Sequence, residues 1–183
     1  MREAHKRGGL MKRYLIPAVL CFASAVIGAS WTTLTAAPSK LSTEDFTEIQ
    51  RLLYTNHTGY DFAFRDNGKM WADTFLDDAV LDNPPSHLVG RKQIQAYSTD
   101  PLVKDPERKL RHWTTTFNVQ PHPEGAILSA FYIAVTNTGP KREMLIGSTG
   151  RYESLVVKTK DGWRIKHHVV VSEGGIFANT LEK

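Results

Sequence analysis

A long amphipathic segment near the start and hairpin-spaced strands at the end limit this chain to few folds. Residues Ser42–Phe64 have apolar side chains at helical spacing, whereas β-branched and aromatic residues alternate along the second half. The segments predicted to be long strands are Arg111–Gln120, Ala126–Asn137, Met144–Lys158 and Trp163–Ser172. This order of elements is typical of the α+β class and predicts a long helix beside a curved antiparallel sheet.

Shorter elements are expected around these. The sequence predicts short helices at Met70–Phe75 and Gly90–Tyr97, a brief strand at Ala79–Asp82 and a break at Asn83–Ser86. Ser42 followed by Asp45 is a helix N-cap signature. Gly147 and Gly150 are expected to bend the strand that contains them. Asp100–Glu107, with two prolines, is predicted to be a loop.

The long helix carries an aspartate where an apolar side chain is expected. Its inward stripe is predicted to contain Phe46, Ile49, Leu53, Tyr60 and Phe64. Asp61 follows Tyr60 directly and comes four residues after His57. A carboxylate that faces a core costs several kcal/mol unless it is paired. We therefore expect Asp61 either to pair with a buried cation or imidazole, or to belong to a functional site.

His112 is the candidate partner, because it lies at the start of a predicted strand that can face the helix. An Asp–His pair in a pocket is a common general base. Two alternatives stay open. Asp61 is a structural acceptor for Arg111 or for a backbone amide, and His112 is a satisfied polar residue at a strand start.

The first residues differ from the rest. Five basic residues between Arg2 and Arg13 precede an apolar run, Leu15–Ala29, and small residues follow it. This layout is typical of a secretory signal peptide. We expect residues 1–37 to be signal peptide and linker and residues 38–183 to be one domain, exported to a periplasm or the exterior without stable membrane insertion. An uncleaved N-terminal anchor is the alternative.

Charge and cysteine content exclude several function classes. The targeting segment carries five Lys/Arg and one Glu, so the formal net charge of +4 falls to about zero in the mature domain. Because no basic stripe with interleaved aromatic residues is present, a nucleic-acid partner is disfavoured. Cys21, the only cysteine, lies in the apolar run. The mature domain therefore has no disulfide, thiol nucleophile or thiolate metal site.

Residues at the joints between elements carry a family resemblance. They are Tyr60-Asp61, Asp66-Asn67-Gly68, Trp71–Phe75, Gly90–Ile94, Arg111-His112, Gly150-Arg151-Tyr152 and Asp161–Ile165. In this order they resemble the SnoaL-like branch of the nuclear-transport-factor-2-like superfamily over about residues 42–172. The resemblance implies a cone-shaped α+β barrel, in which the long helix closes a curved antiparallel sheet over a deep pocket.

Within that superfamily the chain is most similar to the group that contains scytalone dehydratase. The resemblance implies a base dyad of Asp61 and His112 with Tyr60 nearby, acting without metal or cofactor. It also implies a small apolar substrate, cyclic and polyketide- or steroid-like, and a homodimer through the open face of the sheet. One departure favours a non-catalytic ligand-binding protein instead. Phe131 and Tyr132 stand where the group has a second histidine.

Further residues are expected to line the pocket. They are His57, Trp113, Phe131, Tyr132 and His168. The alternative for His57 is a capped, partly exposed side chain. Strand alternation points only one of His167 and His168 inward. Neither joins His112 at a spacing typical of metal ligands, so no metal site is expected.

Overall fold

The computed structural model describes residues 40–98, 107, 109–137 and 143–175. Residues 1–37, where the signal peptide and linker are predicted, lie outside this range, as does nearly all of the predicted loop 100–107. The helices are α1 (Thr43–Asp61), α2 (Lys69–Ala72) and α3 (Arg91–Tyr97), and a 3-10 turn at Ala63–Arg65 follows α1. The strands are β1 (Phe75–Asn83), β2 (Ser86–Val89), β3 (Leu110–His122), β4 (Gly125–Thr136), β5 (Leu145–Thr159) and β6 (Gly162–Gly174).

The strands form one mixed sheet in the order β2-β1-β6-β5-β4-β3. Neighbouring strands are antiparallel except β1 and β6, which are parallel. The α+β class is confirmed, with one correction to the expected pairing. Strands β3 to β6 follow one another as antiparallel hairpins, as expected. Strand β1 precedes them in the chain and pairs in parallel with β6, so the sheet is not purely antiparallel. Strand β2, missed because of the adjacent prolines, pairs with β1.

Irregular pairing bends the long strands. Ala134 pairs with Ser148 and Val135 with Ile146, so Gly147 is an extra residue in β5. A second register shift, against β6, occurs beside Gly150. Both shifts lie where bends were predicted. Such bulges increase strand twist and give the sheet the curvature that covers α1.

The start of α1 is fastened to the β5–β6 hairpin. Ser42 and Asp45 form the predicted capping box. The Asp45 carboxylate also accepts hydrogen bonds from Lys158 Nζ at 2.7 Å and Trp163 Nε1 at 3.2 Å. The Lys158 ammonium, followed by the Ser42 hydroxyl, holds the pKa of Asp45 well below its usual range. One buried carboxylate therefore joins the helix to the sheet.

The core lies between α1 and the concave face of the sheet. Its largest fully buried apolar side chains are Phe75, Ile49, Leu53, Leu81, Ile94, Leu128 and Ile165. Phe46 departs from the predicted inward stripe, because its side chain is 41% exposed. It instead packs edge-on against Phe117 with ring centroids 5.1 Å apart. In the described part of the chain, no helix has the length and apolarity needed to span a membrane.

Candidate functional site

Asp61 and His112 meet where α1 ends and β3 begins. Asp61 Oδ1 lies 2.5 Å from His112 Nδ1, and Asp61 Oδ2 accepts the backbone N–H of His112 at 2.9 Å. Both side chains are largely buried, at 7% and 12% exposed. Arg111, considered as an alternative partner, instead places its guanidinium over the Phe62 ring. The Asp61 carboxylate thus makes hydrogen bonds with both the backbone amide and the imidazole of His112.

This pairing defines the chemistry open to the imidazole. An ionised carboxylate can only accept hydrogen bonds, so His112 donates from Nδ1. In neutral histidine the other nitrogen, Nε2, then keeps its lone pair. The backbone hydrogen bond fixes the carboxylate relative to β3, which in turn fixes the ring orientation. The arrangement can accept a proton at Nε2 and stabilise the imidazolium through Asp61.

Tyrosines surround the imidazole. The Tyr60 ring lies edge-on to His112 with centroids 5.7 Å apart, and it packs against Trp71 at 4.8 Å. Tyr132, on β4, is buried with its ring 6.2 Å from His112, and its hydroxyl lies 2.7 Å from Ser148 Oγ. These two predicted site residues therefore flank His112.

His57 also belongs to this interior. Its side chain is 7% exposed, so the alternative of a partly exposed histidine is wrong. Its ring stacks 5.7 Å from that of His112 and lies 5.0 Å from that of Tyr152. Burial, followed by the charges of His112 and His168, lowers the pKa of His57 well below its usual value. The imidazole is therefore neutral at physiological pH.

Tyr152 is an interior residue that we did not predict. It is buried, stacks on Tyr132 at 4.3 Å and lies between His57 and His168. Burial raises its pKa well above the usual value, with smaller contributions from Tyr132 and Asp61. The charged residues Arg151 and Glu153 flank Tyr152, so strand alternation was the signal that could have placed it inside.

The two adjacent histidines of β6 point to opposite faces. His168 is buried, and its Nδ1 lies 2.6 Å from Ser154 Oγ. Burial lowers the pKa of His168 to about 4. His167 lies on the other face, with Nε2 2.6 Å from Asp82 Oδ2. Strand alternation thus brings His168 to the interior, next to Tyr152.

Trp113 and Phe131 do not line the interior, and this prediction is wrong. Their side chains are 61% and 47% exposed. Each adjoins an inward residue, His112 or Tyr132, and successive strand residues point to opposite faces. Together with two exposed isoleucines they form an outer patch, defined as Trp113, Phe131, Ile133 and Ile146.

Two other observations bear on binding. Within the described ranges, no group of three or more His, Cys, Asp or Glu side chains is arranged to hold a metal ion.

A groove of about 580 Å³ lies between α1, α2 and the β5–β6 hairpin, away from the predicted site residues. Charged residues of both signs line it, including Arg51, Asp66, Lys69, Asp161 and Arg164.

The sequence profile of the SnoaL-like domain matches residues 42–169. The chain belongs to the SnoaL-like family. That match spans α1 and most of the sheet, including Asp61 and His112. A comparison with curated protein sequences gave no significant match.

Solved structures of similar fold include three informative ones. A proposed aromatic ring hydroxylase from Novosphingobium aromaticivorans is 24% identical with a TM-score of 0.64, covering 76% of this chain and 99% of its own. ActVI-ORFA from Streptomyces coelicolor is 18% identical with a TM-score of 0.61, covering 72% and 98%. A proposed scytalone dehydratase from N. aromaticivorans is 17% identical with a TM-score of 0.58, covering 73% and 90%. At these identities the comparisons show a shared fold.

Proposed function

We propose that this SnoaL-like protein is a cofactor-independent lyase or isomerase in which His112, oriented by Asp61, abstracts a proton from carbon. The observation that carries the proposal is the double hydrogen bond between the Asp61 carboxylate and His112. Engagement of both the amide and Nδ1 fixes the ring and leaves Nε2 to act as the base.

The proposed reaction needs only these groups. His112 Nε2 takes a proton from an acidic C–H, and the electron pair of that bond forms a new C=C double bond. In an elimination, the bond to a hydroxyl on the next carbon breaks, and the imidazolium returns its proton to release water. In an isomerisation, the proton returns to a different carbon. Tyr60 is proposed to hydrogen-bond the substrate oxygen that gains charge.

The interior favours a small, largely apolar and cyclic substrate. The rings of Tyr60, Tyr132 and His57 lie beside that of His112, and the Tyr152 ring lies behind His57. Such walls contact flat rings well. The names of two structurally similar proteins, a proposed scytalone dehydratase and a proposed aromatic ring hydroxylase, are in keeping with cyclic compounds. We therefore propose polyketide- or steroid-like ring compounds as the class to test.

The test is proton exchange, which can be followed on the substrate itself without identifying a product. A panel of cyclic ketones is incubated with the protein in D₂O, and loss of α-proton signals is followed by NMR. We expect His112→Ala to abolish any exchange found with the wild type. The matched control is His122→Ala, which removes a histidine at the far end of β3. If His112→Ala exchanges at the wild-type rate, His112 is not the base.

A second candidate is a ligand-binding protein without catalysis. It is favoured by the absence of a second histidine at Phe131 and Tyr132, which leaves the dyad without the expected partner. This function predicts that a cyclic ketone binds and is recovered without exchange or product. Exchange that depends on His112 would exclude it.

We propose two further properties. The outer patch forms a homodimer interface, because contiguous exposed aromatic and aliphatic side chains typically mark such surfaces.

The protein is exported through its N-terminal segment, whose basic start and apolar run have the signal-peptide layout. Export is tested by fusing residues 1–37 to a reporter enzyme that is active only outside the cytoplasm. A fusion that remains inactive would contradict it.

A further inference from the structure

Two arginine side chains lie over one aromatic ring just after the end of α1. The guanidinium carbons of Arg65 and Arg111 lie 4.3 Å and 4.5 Å from the centre of the Phe62 ring. Arg65 also lies 5.7 Å from the centre of the Phe64 ring, which is 6.1 Å from that of Phe62. We call Phe62, Phe64, Arg65 and Arg111 the arginine cluster. It joins two positive charges to two half-buried aromatic rings.

Neither charge of the arginine cluster is neutralised. Among the described residues, Arg151 pairs with Glu173, whereas Arg65 and Arg111 form no ion pair with a carboxylate. Arg111 donates one hydrogen bond to the backbone carbonyl of Leu110. Contact with an aromatic ring is favourable for each cation singly. Two unneutralised cations beside one ring nevertheless repel each other, and a bound anion would offset that repulsion.

The arginine cluster borders the proposed base dyad and is open to solvent. Phe62 follows Asp61 directly, and Arg111 precedes His112 directly. The hydrogen bond of 2.9 Å from the His112 backbone N–H to Asp61 Oδ2 holds these two chain segments together. Arg65 is exposed and Arg111 is half-buried, and the His112 side chain is 12% exposed. A molecule in solution can therefore reach the arginines and the accessible edge of the imidazole.

We propose that the arginine cluster binds a carboxylate of the substrate, so that the ring compound on which His112 acts is a cyclic carboxylic acid. This inference rests on the proposed function. A guanidinium presents its N–H donors in a planar fork that matches the two oxygens of a carboxylate. Arg65 offers this fork, and Arg111 adds a second positive charge. The rings of Phe62 and Phe64 offer an apolar surface to the ring of the ligand.

The carboxylate takes no part in making or breaking bonds. It carries the same charge before and during the proton transfer to His112, so the arginines attract the ground state and the transition state alike. Removing an arginine should therefore raise KM for a cyclic keto acid rather than lower kcat. A group that took part in the proton transfer would instead lower kcat.

The experiment uses 2-naphthoate and its methyl ester as matched probes, because the ester keeps the ring system and lacks the negative charge. Their dissociation constants are measured by fluorescence at low ionic strength on the full chain and on Arg65→Gln, Arg65→Lys, Arg111→Gln and Arg51→Gln. Arg51 supplies the control, because it is an exposed arginine that lines the separate groove beside α1.

We expect the wild type and Arg51→Gln to prefer 2-naphthoate roughly tenfold, equivalent to one charge-assisted hydrogen bond. Arg65→Gln and Arg111→Gln should each lose most of that preference and still bind the ester. Arg65→Lys, which keeps the charge without the fork, should retain part of it. High salt should weaken naphthoate binding to the wild type and leave ester binding unchanged.

The proposal is overturned if the wild type does not prefer 2-naphthoate, or if either Gln variant of the arginine cluster keeps the preference. It is also overturned if Arg51→Gln loses the preference to the same extent, because the effect would then come from general charge or from the groove. Retained ester binding shows that a variant is folded. If Arg111→Gln loses ester binding, Arg65→Gln decides, because it alters an exposed side chain.

The inference and the proposed function fail separately. His112→Ala should keep the naphthoate preference, because it leaves both arginines in place. Loss of the preference in Arg65→Gln together with undiminished proton exchange in His112→Ala would support the carboxylate site and remove His112 as the base. Proton exchange that depends on His112, with a naphthoate preference that survives Arg65→Gln, would support the base and exclude the carboxylate site.

Discussion

Gly59 of α1 lies directly against the backbone of Trp71 in α2. A Cβ atom added at Gly59 would lie 2.5 Å from Trp71 N and 2.7 Å from Trp71 Cα. Only a residue without a side chain allows this contact, which fixes the end of α1 where Tyr60 and Asp61 project. The site geometry therefore depends on a residue that takes no part in chemistry.

Gly59→Ala should destabilise the protein by about 1–3 kcal/mol through overpacking. In an ordinary helix interior the same change stabilises by about 1 kcal/mol, so the sign is diagnostic. Urea unfolding measures the free energy of unfolding. Thr58→Ala, at the exposed neighbouring position, is the control and should have little effect. A stabilised Gly59→Ala protein would show that the two helices do not touch.

Asp45→Ala should cost roughly 2–4 kcal/mol of unfolding free energy. The substitution removes the carboxylate half of the capping box, which accepts from Ser42, and leaves the buried Trp163 N–H without its acceptor. Lys158→Met is the matched control, because it removes only a half-exposed ion pair, which contributes little to stability. Equal losses in the two variants would assign the effect to the ion pair instead.

Stability should fall between pH 6.5 and pH 4 because of His168. Its folded pKa of about 4 lies below the ordinary value of 6.5, so the unfolded chain binds more protons in this window. The free energy of unfolding therefore decreases as pH falls, by on the order of 3 kcal/mol from this residue. His168→Gln can keep the contact with Ser154 and does not titrate, so its pH profile should be flatter. An equally steep profile would contradict the prediction.

Asp61→Asn should change the tautomer of His112. Wild-type His112 is expected to carry its proton on Nδ1, whereas an amide at position 61 can donate to Nδ1 and move the proton to Nε2. ¹⁵N NMR of the imidazole distinguishes the two forms. Any proton exchange should fall roughly 10²-fold or more, because Nε2 is no longer free. Asp73→Asn, at an exposed carboxylate, is the control. An unchanged tautomer would show that Asp61 does not orient the ring.

Trp113→Lys should convert the proposed homodimer to a monomer. A charge within the outer patch would be buried without a partner in the interface. Sedimentation velocity measures the change. Phe46→Lys, which alters an exposed aromatic residue on α1, should leave the dimer intact. A monomeric wild type at tens of micromolar concentration would refute the interface.

The sequence was most informative where periodicity is strong. The helical spacing of α1 placed Asp61 on the inward side, and hairpin spacing gave the four long strands. Contact between Asp61 and His112 was a reasonable expectation, because a carboxylate that faces a core needs a partner. The catalytic role of Asp61, His112 and Tyr60 stays a prediction.

The errors on the strands came from neglecting alternation. Trp113 and Phe131 were expected inside together with the residues next to them in the strand, although successive residues point to opposite faces. Tyr152 was missed by the same neglect. The parallel pairing of β1 with β6 depends on long-range packing that no local pattern encodes. His57 was ambiguous because a helical histidine near the end of an amphipathic face fits both a buried and an exposed position.

Strand β3 lies at the end of the sheet order, so its outer side has no strand beside it among the described residues. Exposed edge amides can recruit strands from other molecules. On this strand the backbone N–H of His112 donates its hydrogen bond to the Asp61 carboxylate. The carboxylate that pairs with the imidazole therefore also covers one amide of a vulnerable edge, and losing it would leave that amide open to strands of other molecules.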